Sequence, residues 1–536
     1  FTPSGTPKLR SVTAAQLPVL VKASSGGGGR GMRVVDQLDA LPGEVAAAQR
    51  EAQSAFGDPT VFCERYLPTG HHVEVQVMAD AHGTVWAVGE RECSIQRRHQ
   101  KIIEEAPSPL VERIPGMRDR LFRAARLAAE AIGYTGAGTV EFLADDEGEF
   151  FFLEMNTRLQ VEHPVTEATT GLDLVELQLQ VADGLPLGSA PPAARGHSIE
   201  ARLYAEDPAK NWQPQAGTVH HFAVPAARTE FESSGRTGIR LDGGIVDGSV
   251  VSIHYDPMLA KVISYAPTRR HAALLLADAL ARARVHGVRT NRDLLVNVLR
   301  HKAFLDGDTD TAFFDTHGLA ELAAPLTDAG TLRLSAVAAA IADAAHNRAS
   351  ATVLAGAPSG WRNLVSGNQA KTYRSADDTE HRVEYRFTRA GLVLPDDDGV
   401  QLISAAPDRV VLADAAGAET AYDVRRYGDA VFVDSAQGGV ELTVVPRFTE
   451  PGSTLAKGSL VAPMPGVVIR VGAQLGDTVT AGQPLVWLEA MKMEHTLTAA
   501  GDGVLTQLNV QAGQQVEVGA VLALVDDQTA QPESEQ

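Results

Sequence analysis

The sequence predicts a multidomain α+β protein in which a large mixed region is followed by two all-β modules. Three observations lead there. The chain has 536 residues, too many for one hydrophobic core. Near its start the glycine run SSGGGGRG, residues 24–31, is bounded tightly by apolar, β-rich text. Near its end a glycine pattern recurs: Gly466, Gly476 and Gly482 are followed, 37 residues on, by Gly503, Gly513 and Gly519.

Bulk properties narrow the function classes. A net charge of −20 disfavours binding to nucleic acid or to an anionic membrane, since both need a basic surface. Apolar residues at 44% and charged residues at 21% are the proportions of a folded globular chain rather than a disordered one. Two cysteines, Cys63 and Cys93, fit a reducing compartment, so a cytoplasmic location is expected, with both thiols as small buried residues. No run of about 18 apolar residues occurs, so no membrane span is expected. The opening FTPSGTPKLR has neither a secretory signal nor an initiator Met, which suggests a fragment or a processed product.

In the N-terminal region LPVLVKA (17–23) reads as a buried strand and MRVV (32–35) as extended chain. The glycines between them let backbone N–H groups close over phosphates. Such a strand-to-strand loop differs from a P-loop, which opens a helix with Gly-Lys-Ser/Thr. Further on, VEFLA and EFFFLEM read as strands joined by a turn around Asp145–Gly148, a pairing that sets Glu141 opposite Glu154. From Glu154 polar residues alternate through Asn156, Arg158, Gln160 and Glu162, and an extended segment would show them on one face. Facing carboxylates repel unless a cation lies between them. Carboxylates with an amide oxygen suit Mg²⁺ or Mn²⁺, with phosphate oxygens completing the shell. His71 is expected to be ordinary polar surface and His99 and His163 to be structural, and no histidine spacing suggests metal binding by histidine.

Residues 319–345 read as an Ala-rich helix followed by a loop. Between 350 and 450 the alternating strands HRVEYRF, RVVLAD, AVFVD and VELTVV, with turns such as DDDG and QGG, predict a small antiparallel barrel. TEPGSTLAKG (449–458) has the composition of a flexible linker. The repeated halves that follow should pack as a flattened β-barrel with turn glycines at equivalent places. Lys492 in LEAMKMEH (488–495) falls between the halves, at a hairpin tip flanked by two methionines. Exposed Met beside an exposed Lys is unusual unless another protein reads the pair.

With those residues in view, AMKM (490–493) and the PMPG turn (463–466) closely resemble the biotinyl domain of biotin-dependent carboxylases. By that resemblance Lys492 carries biotin through an amide. The related lipoyl domain has Asp-Lys-Ala at its tip, which is absent here. Residues 17–318 resemble the ATP-grasp region of biotin carboxylase, on KASSGGGGRGMRVV, CSIQRRHQKIIEEAP, EMNTRLQVEHPVTE, EARLYAEDP, YDPMLAKV and GVRTNRDLL. GWRN (360–363) resembles the linking domain in α subunits of methylcrotonyl- and propionyl-CoA carboxylases.

The resemblance implies the remaining assignments. Lys22 with Gly27, Gly28 and Gly29 would hold ATP phosphates, Glu64, Arg65 and Leu67 would meet the adenine, and His72 and Gln96 would line the nucleotide pocket. Glu141, Glu154 and Asn156 would hold the metals; Lys101 and Arg158 would bind bicarbonate, with Gln160 and Val161 beside it. Glu162 would be the general base and Arg202 would stabilise the biotin enolate, so that the catalytic set is Glu162, Arg158, Lys101 and Arg202. The expected divisions are a lid in 1–66, the ATP-grasp core with the biotin carboxylase C-terminal subdomain in 67–318, a helix plus barrel linking domain in 319–448, the linker 449–458, the carrier domain in 459–527 and a tail in 528–536. The expected cofactors and substrates are biotin, ATP, Mg²⁺ or Mn²⁺, and bicarbonate. The expected partners are a carboxyltransferase β subunit that binds the acyl-CoA (3-methylcrotonyl-CoA or propionyl/acetyl-CoA), in an α/β hetero-oligomer, and a biotin protein ligase. The Rossmann-like subdomain that precedes the glycine loop in this family has no counterpart in the first twenty or so residues. That leaves an alternative open, a chain acting mainly as carrier and docking subunit.

Overall fold

The computed structural model describes residues 12–25, 32–97, 99–233, 235–364, 367–389, 391–395, 399–448, 458–490 and 493–526. The expectations for Gly27, Gly28, Gly29 and Lys492, for 449–457 of the linker and for the tail lie outside the described residues.

Strands β1 (Val19–Ala23), β2 (Arg33–Val35) and β3 (Val61–Arg65) form an antiparallel sheet in the order β2-β1-β3. The helix Leu41–Phe56 covers it because Leu41, Val45, Ala48 and Ala52 fall on one helical face and pack with Val19, Val21, Val35 and Val61. LPVLVKA and MRVV are thus neighbouring antiparallel strands on either side of the glycine run.

The larger sheet contains β4 (His71–Ala79), β5 (Val85–Arg97), β6 (Gln100–Ala106), β7 (Gly136–Ala144), β8 (Phe150–Asn156) and β9 (His197–Tyr204). With Ala227–Glu230, Gly238–Gly243 and Met258–Ala266 it has nine strands, in the order Ala227–Glu230, Gly238–Gly243, Met258–Ala266, β9, β6, β5, β4, β7, β8. Period-two alternation splits β4 into two faces. Val73, Val75 and Val77 pack with Leu121 and Ala125 of the helix Met117–Ala131, while His72, Glu74 and Gln76 face the other way. The helix His163–Thr170 lies against β5, β6, β9 and Met258–Ala266.

The expected helix at 319–345 is two helices. Leu319–Leu322 is short, Pro325 interrupts, and the long helix Ala329–Ala349 starts where the Asp328 side chain accepts from the Thr331 N–H at 2.7 Å. Its alanines bury against Tyr373, Tyr385, Tyr422 and Val433 of an eight-stranded antiparallel, nearly closed sheet, the expected small barrel. Arg284–Asp423 (2.6 Å) and His286–Asp434 (3.0 Å) tie this barrel to the preceding region.

The C-terminal module is two four-stranded sheets around one apolar core. The repeat is visible in its backbone: Gly476 and Gly513 have φ of 93° and 87°, and Gly482 and Gly519 have 81° and 78°. These are left-handed turn positions at which a side chain would be strained. Strands Pro484–Ala490 and Met493–Thr498 form a hairpin whose last pair is Ala490 with Met493.

Candidate active site

The site lies on the face of the nine-stranded sheet that β4 marks with His72, Glu74 and Gln76. β7 and β8 pair as expected, with Glu141 directly opposite Glu154. Asn156 sits beside both, its Nδ2 donating to Glu141 Oε1 at 3.0 Å and to Glu154 Oε1 at 3.3 Å. The extended face expected beyond them is not formed. β8 ends at Asn156, the chain turns, and Gln160 and Glu162 reach the cluster as the segment enters the helix His163–Thr170. Arg158 is carried outward, exposed, with its guanidinium on Leu159 O (3.3 Å) and Asn156 Oδ1 (3.5 Å). The reason is local: Pro164 takes a first-turn position of that helix and forces the helical start just after Glu162, the N-cap residue.

Lys101 on β6 is the centre. Its Nζ donates to Glu74 Oε2 at 2.5 Å, Glu162 Oε1 at 2.5 Å and Glu141 Oε1 at 3.0 Å. Arg202 on β9 gives Nη2 to Glu162 Oε2 at 2.9 Å and Nε to Glu104 Oε1 at 2.5 Å. Glu162 therefore has a cation on each oxygen. Burial opposes its charge, but Lys101, Arg202 and Arg91 outweigh it and hold the carboxyl well below the usual range. Burial likewise opposes the Lys101 charge, and Glu74 and Glu162 override it. Gln160 donates to Glu141 Oε1 at 2.7 Å, and the Val161 carbonyl accepts from Lys261 Nζ at 2.8 Å. A shift of register between β5 and β6 at Ile95/Gln96 lets Lys101 and Glu104, three residues apart, reach the same cluster.

The nucleotide-side residues fall in two groups. Lys22, Glu64 and Arg65 belong to the small sheet with Leu67 just beyond it, and Lys22 Nζ is 3.7 Å from Glu64. His72 and Gln96 belong to the large sheet: Gln96 Nε2 donates to His72 Nδ1 at 2.8 Å, and His72 Nε2 lies 3.0 Å from Glu141 Oε2. The groups meet near His99, whose imidazole is pushed below its ordinary value first by burial and then by its neighbours His72 and Lys22. His71, expected at the surface, is instead buried, because its Nδ1 lies 2.7 Å from the buried Glu92, which also accepts from Ser94, Ser108 and Thr309. Cys93 is fully buried and Cys63 half-buried, and burial pushes both thiols up.

Sequence reasoning missed three groups. Arg91, wholly buried, donates to Glu74 (2.6 Å), Gln76 (2.8 Å), Thr166 (2.9 Å) and Gln160 (3.3 Å). Glu74 itself and the Glu104–Glu200 pair are the others. The alternation HHVEVQV was the available signal for Glu74, since polar residues at every second place in an apolar strand share one face.

The donor set fits a hard divalent cation. Glu141 and Glu154 face each other with an amide beside them, and His72, Glu74 and Glu141 also bring ligand atoms within 4.8 Å of one another. Carboxylate and amide oxygens on adjacent strands are what Mg²⁺ or Mn²⁺ takes in a phosphate site.

Four known families match this chain. Residues 6–190 match the carbamoyl-phosphate synthase L chain ATP-binding domain, 200–316 the biotin carboxylase C-terminal domain, 332–447 the BT domain of the methylcrotonyl-CoA carboxylase α subunit, and 458–525 the biotin-requiring enzyme family. The methylcrotonoyl-CoA carboxylase subunit α of Glycine max is 36% identical over 95% of this chain and 75% of its own length. The propionyl-CoA carboxylase α chain of Ruegeria pomeroyi is 35% identical over 94% and 77%. The biotin carboxylase domain of the Hydrogenobacter thermophilus 2-oxoglutarate carboxylase, solved with MgADP, ADP and bicarbonate, is 40% identical with a TM-score of 0.54, over 57% of this chain and 66% of that one. The chain thus spans about three quarters of the curated relatives and just under two thirds of that solved chain.

Proposed function

The chain belongs to the α subunits of biotin-dependent acyl-CoA carboxylases, a family of ATP-dependent ligases, and from that premise we propose that it uses ATP and bicarbonate to carboxylate biotin carried on Lys492. The observation that carries this reading is Glu162, buried and ionised between Lys101 and Arg202.

Bicarbonate is a weak nucleophile, so a base must take its proton as it attacks the γ-phosphate. Glu162 is that base. Its charge is favoured by the cations on its two oxygens. Lys101, Arg158, Gln160 and the Val161 backbone bind bicarbonate; the incoming anion takes over part of the Lys101 charge now shared among three carboxylates. Attack breaks the bond from the γ-phosphorus to ADP and yields carboxyphosphate, whose charge Lys101 and Arg158 offset; its breakdown gives CO₂ for the acceptor nitrogen and phosphate, which takes that nitrogen's proton. Glu141, Glu154 and Asn156 would hold the metal; Lys22, Gly27, Gly28, Gly29, Glu64, Arg65, Leu67, His72 and Gln96 the nucleotide. When bound, biotin supplies the nitrogen that accepts the carboxyl group, and the metal supplies positive charge to phosphate oxygens. Arg202 faces the negative charge that develops as the acceptor nitrogen loses its proton.

The partner is a carboxyltransferase β subunit holding the acyl-CoA, 3-methylcrotonyl-CoA or propionyl/acetyl-CoA, in an α/β assembly, and a biotin protein ligase loads Lys492. No helix among the described residues is long and apolar enough to cross a membrane. A cytoplasmic location agrees with the thiols, while several relatives are named as mitochondrial. The test is to give the purified, biotinylated chain MgATP and labelled bicarbonate. Acid-labile label on the protein, lost in Lys492→Arg, is the expected result. A biotinylated chain that takes up no label would favour the carrier and docking reading instead.

A further inference from the structure

Glu104 and Glu200 are direct cross-strand partners on β6 and β9, and neither exposes any surface. Glu104 Oε1 accepts from Arg202 Nε at 2.5 Å, while Glu104 Oε2 and both carboxylate oxygens of Glu200 have no hydrogen-bond partner. Glu200 sits in apolar company, with Ile263 opposite it on the strand Met258–Ala266 and the Ala106, Val165 and Ile263 cluster under the helix His163–Thr170. The cations nearby are engaged elsewhere: Lys261 Nζ donates to Val161 O at 2.8 Å and lies 3.2 Å from Asp242, and Arg202 serves Glu104 and Glu162.

Two buried anions directly opposite each other repel, and a buried carboxylate without donors is strongly disfavoured. One proton resolves both problems. Directly opposed residues stand about 5 Å apart at Cβ, which lets one carboxyl reach the other. Glu104 has a guanidinium hydrogen-bonded to it, whereas Lys261 and Arg202 act on Glu200 only from a distance and it has no hydrogen-bond donor, so the proton belongs on Glu200. We propose that Glu200 is a protonated positioning residue that donates its O–H to Glu104 Oε2, leaving Glu104 a single charge with which to hold Arg202 against Glu162. Burial, the first cause in each case, raises Glu200 well above the ordinary value and Glu104 to about 7. The charged groups around the pair are Lys261, Arg202, Lys101 and Glu162.

The presence of the proton stands on the geometry alone; its effect on turnover rests on the roles proposed for Arg202 and Glu162. The test therefore has two arms on the 536-residue chain. Infrared difference spectra at mildly alkaline pH, above the value of about 7 at which Glu104 titrates, should show the carbonyl stretch of a buried protonated carboxyl in the wild type, absent from Glu200→Gln and retained in Glu162→Gln. No such band in the wild type, or its survival in Glu200→Gln, overturns the proposal, whether or not the chain turns over. In the second arm Glu200→Leu, which leaves Glu104 Oε2 without a donor, lowers bicarbonate-dependent ATP cleavage about tenfold, and Glu200→Gln, which restores a neutral donor, recovers most of it. If both variants fold, by circular dichroism, yet Gln rescues no better than Leu, an ionised Glu200 is what the site needs and the proposal fails.

Discussion

Lys101 Nζ and Glu162 Oε1 stand 2.5 Å apart, with Arg202 at the other oxygen of the same carboxylate. A base placed between two cations remains charged at neutral pH but is weakened by them, so its strength as a proton acceptor rises as bicarbonate takes over part of the Lys101 charge. Glu162→Gln keeps the shape and removes the base. Bicarbonate-dependent phosphate release should fall by about 10²- to 10⁴-fold. Biotin incorporation at Lys492, followed by avidin blotting, should not change. Full phosphate release in the variant would contradict the assignment.

Arg91 has no exposed surface and is tied to Glu74 at 2.6 Å. Removing one member of a buried pair leaves the other charge uncompensated, at a cost of about 3–5 kcal/mol. Arg91→Met should lower the denaturant midpoint accordingly and also weaken catalysis, since Gln160 and Glu74 lose their common donor. A midpoint unchanged from the wild type would mean Glu74 is held by Lys101 alone.

The pH dependence has two opposite parts. Glu162, depressed mainly by Lys101 against the pull of burial, contributes stability above the ordinary glutamate range that is lost as pH falls through its low folded value. Glu104, raised by burial from 4.5 to about 7, works in reverse. The folded state binds more protons than the unfolded state in that window, so stability falls as pH rises across it. Urea titrations of wild type and Glu200→Gln between those values should show a shallower slope in the variant. Identical slopes would mean the pair does not titrate there.

Glu154 is half-buried and accepts from Asn156 Nδ2 at 3.3 Å. Glu154→Gln should shift the Mg²⁺ dependence of ATP cleavage to higher concentration by about tenfold or more, with the fold intact. A Mg²⁺ titration superimposable on the wild type would remove Glu154 from the metal set.

Asp328 begins the long helix that fills the small barrel, its side chain accepting from the Thr331 N–H. Asp328→Ala should cost about 1 kcal/mol, read as a lower melting temperature of the barrel region. No shift would mean that burial of the Ala-rich face alone sets where the helix starts.

What could be read in the sequence was mostly local. The turn at Asp145–Gly148 sets the register as far as Phe142 with Phe152, a one-residue shift there brings Glu154 opposite Glu141, and the 37-residue glycine repeat reappears as paired left-handed turns. The alternation from Glu154 to Glu162 misled because strand period and helix start compete there, and Pro164 decides for the helix. Arg91 and Glu200 stayed invisible for another reason. Each is one of several charged residues in its strand, and its meaning comes from segments far away in sequence. Arg91 meets Gln160, and Glu200 meets Glu104, only once the sheet has assembled.

The nine-stranded sheet runs without a break from β8 through β6 and β9 to Met258–Ala266, so it crosses the boundary between the matches that end at 190 and begin at 200. Lys101 comes from one side of that boundary and Arg202 from the other, and they meet on one carboxylate. Two segments that look like separate parts in the text are therefore a single heritable unit. Neither could be recombined with a foreign partner without tearing a ladder of backbone hydrogen bonds through the middle of the chemistry. The C-terminal carrier touches this body through a contact as slight as Gln213 Nε2 on the Pro463 carbonyl at 3.0 Å, and is the piece that shuffling could exchange.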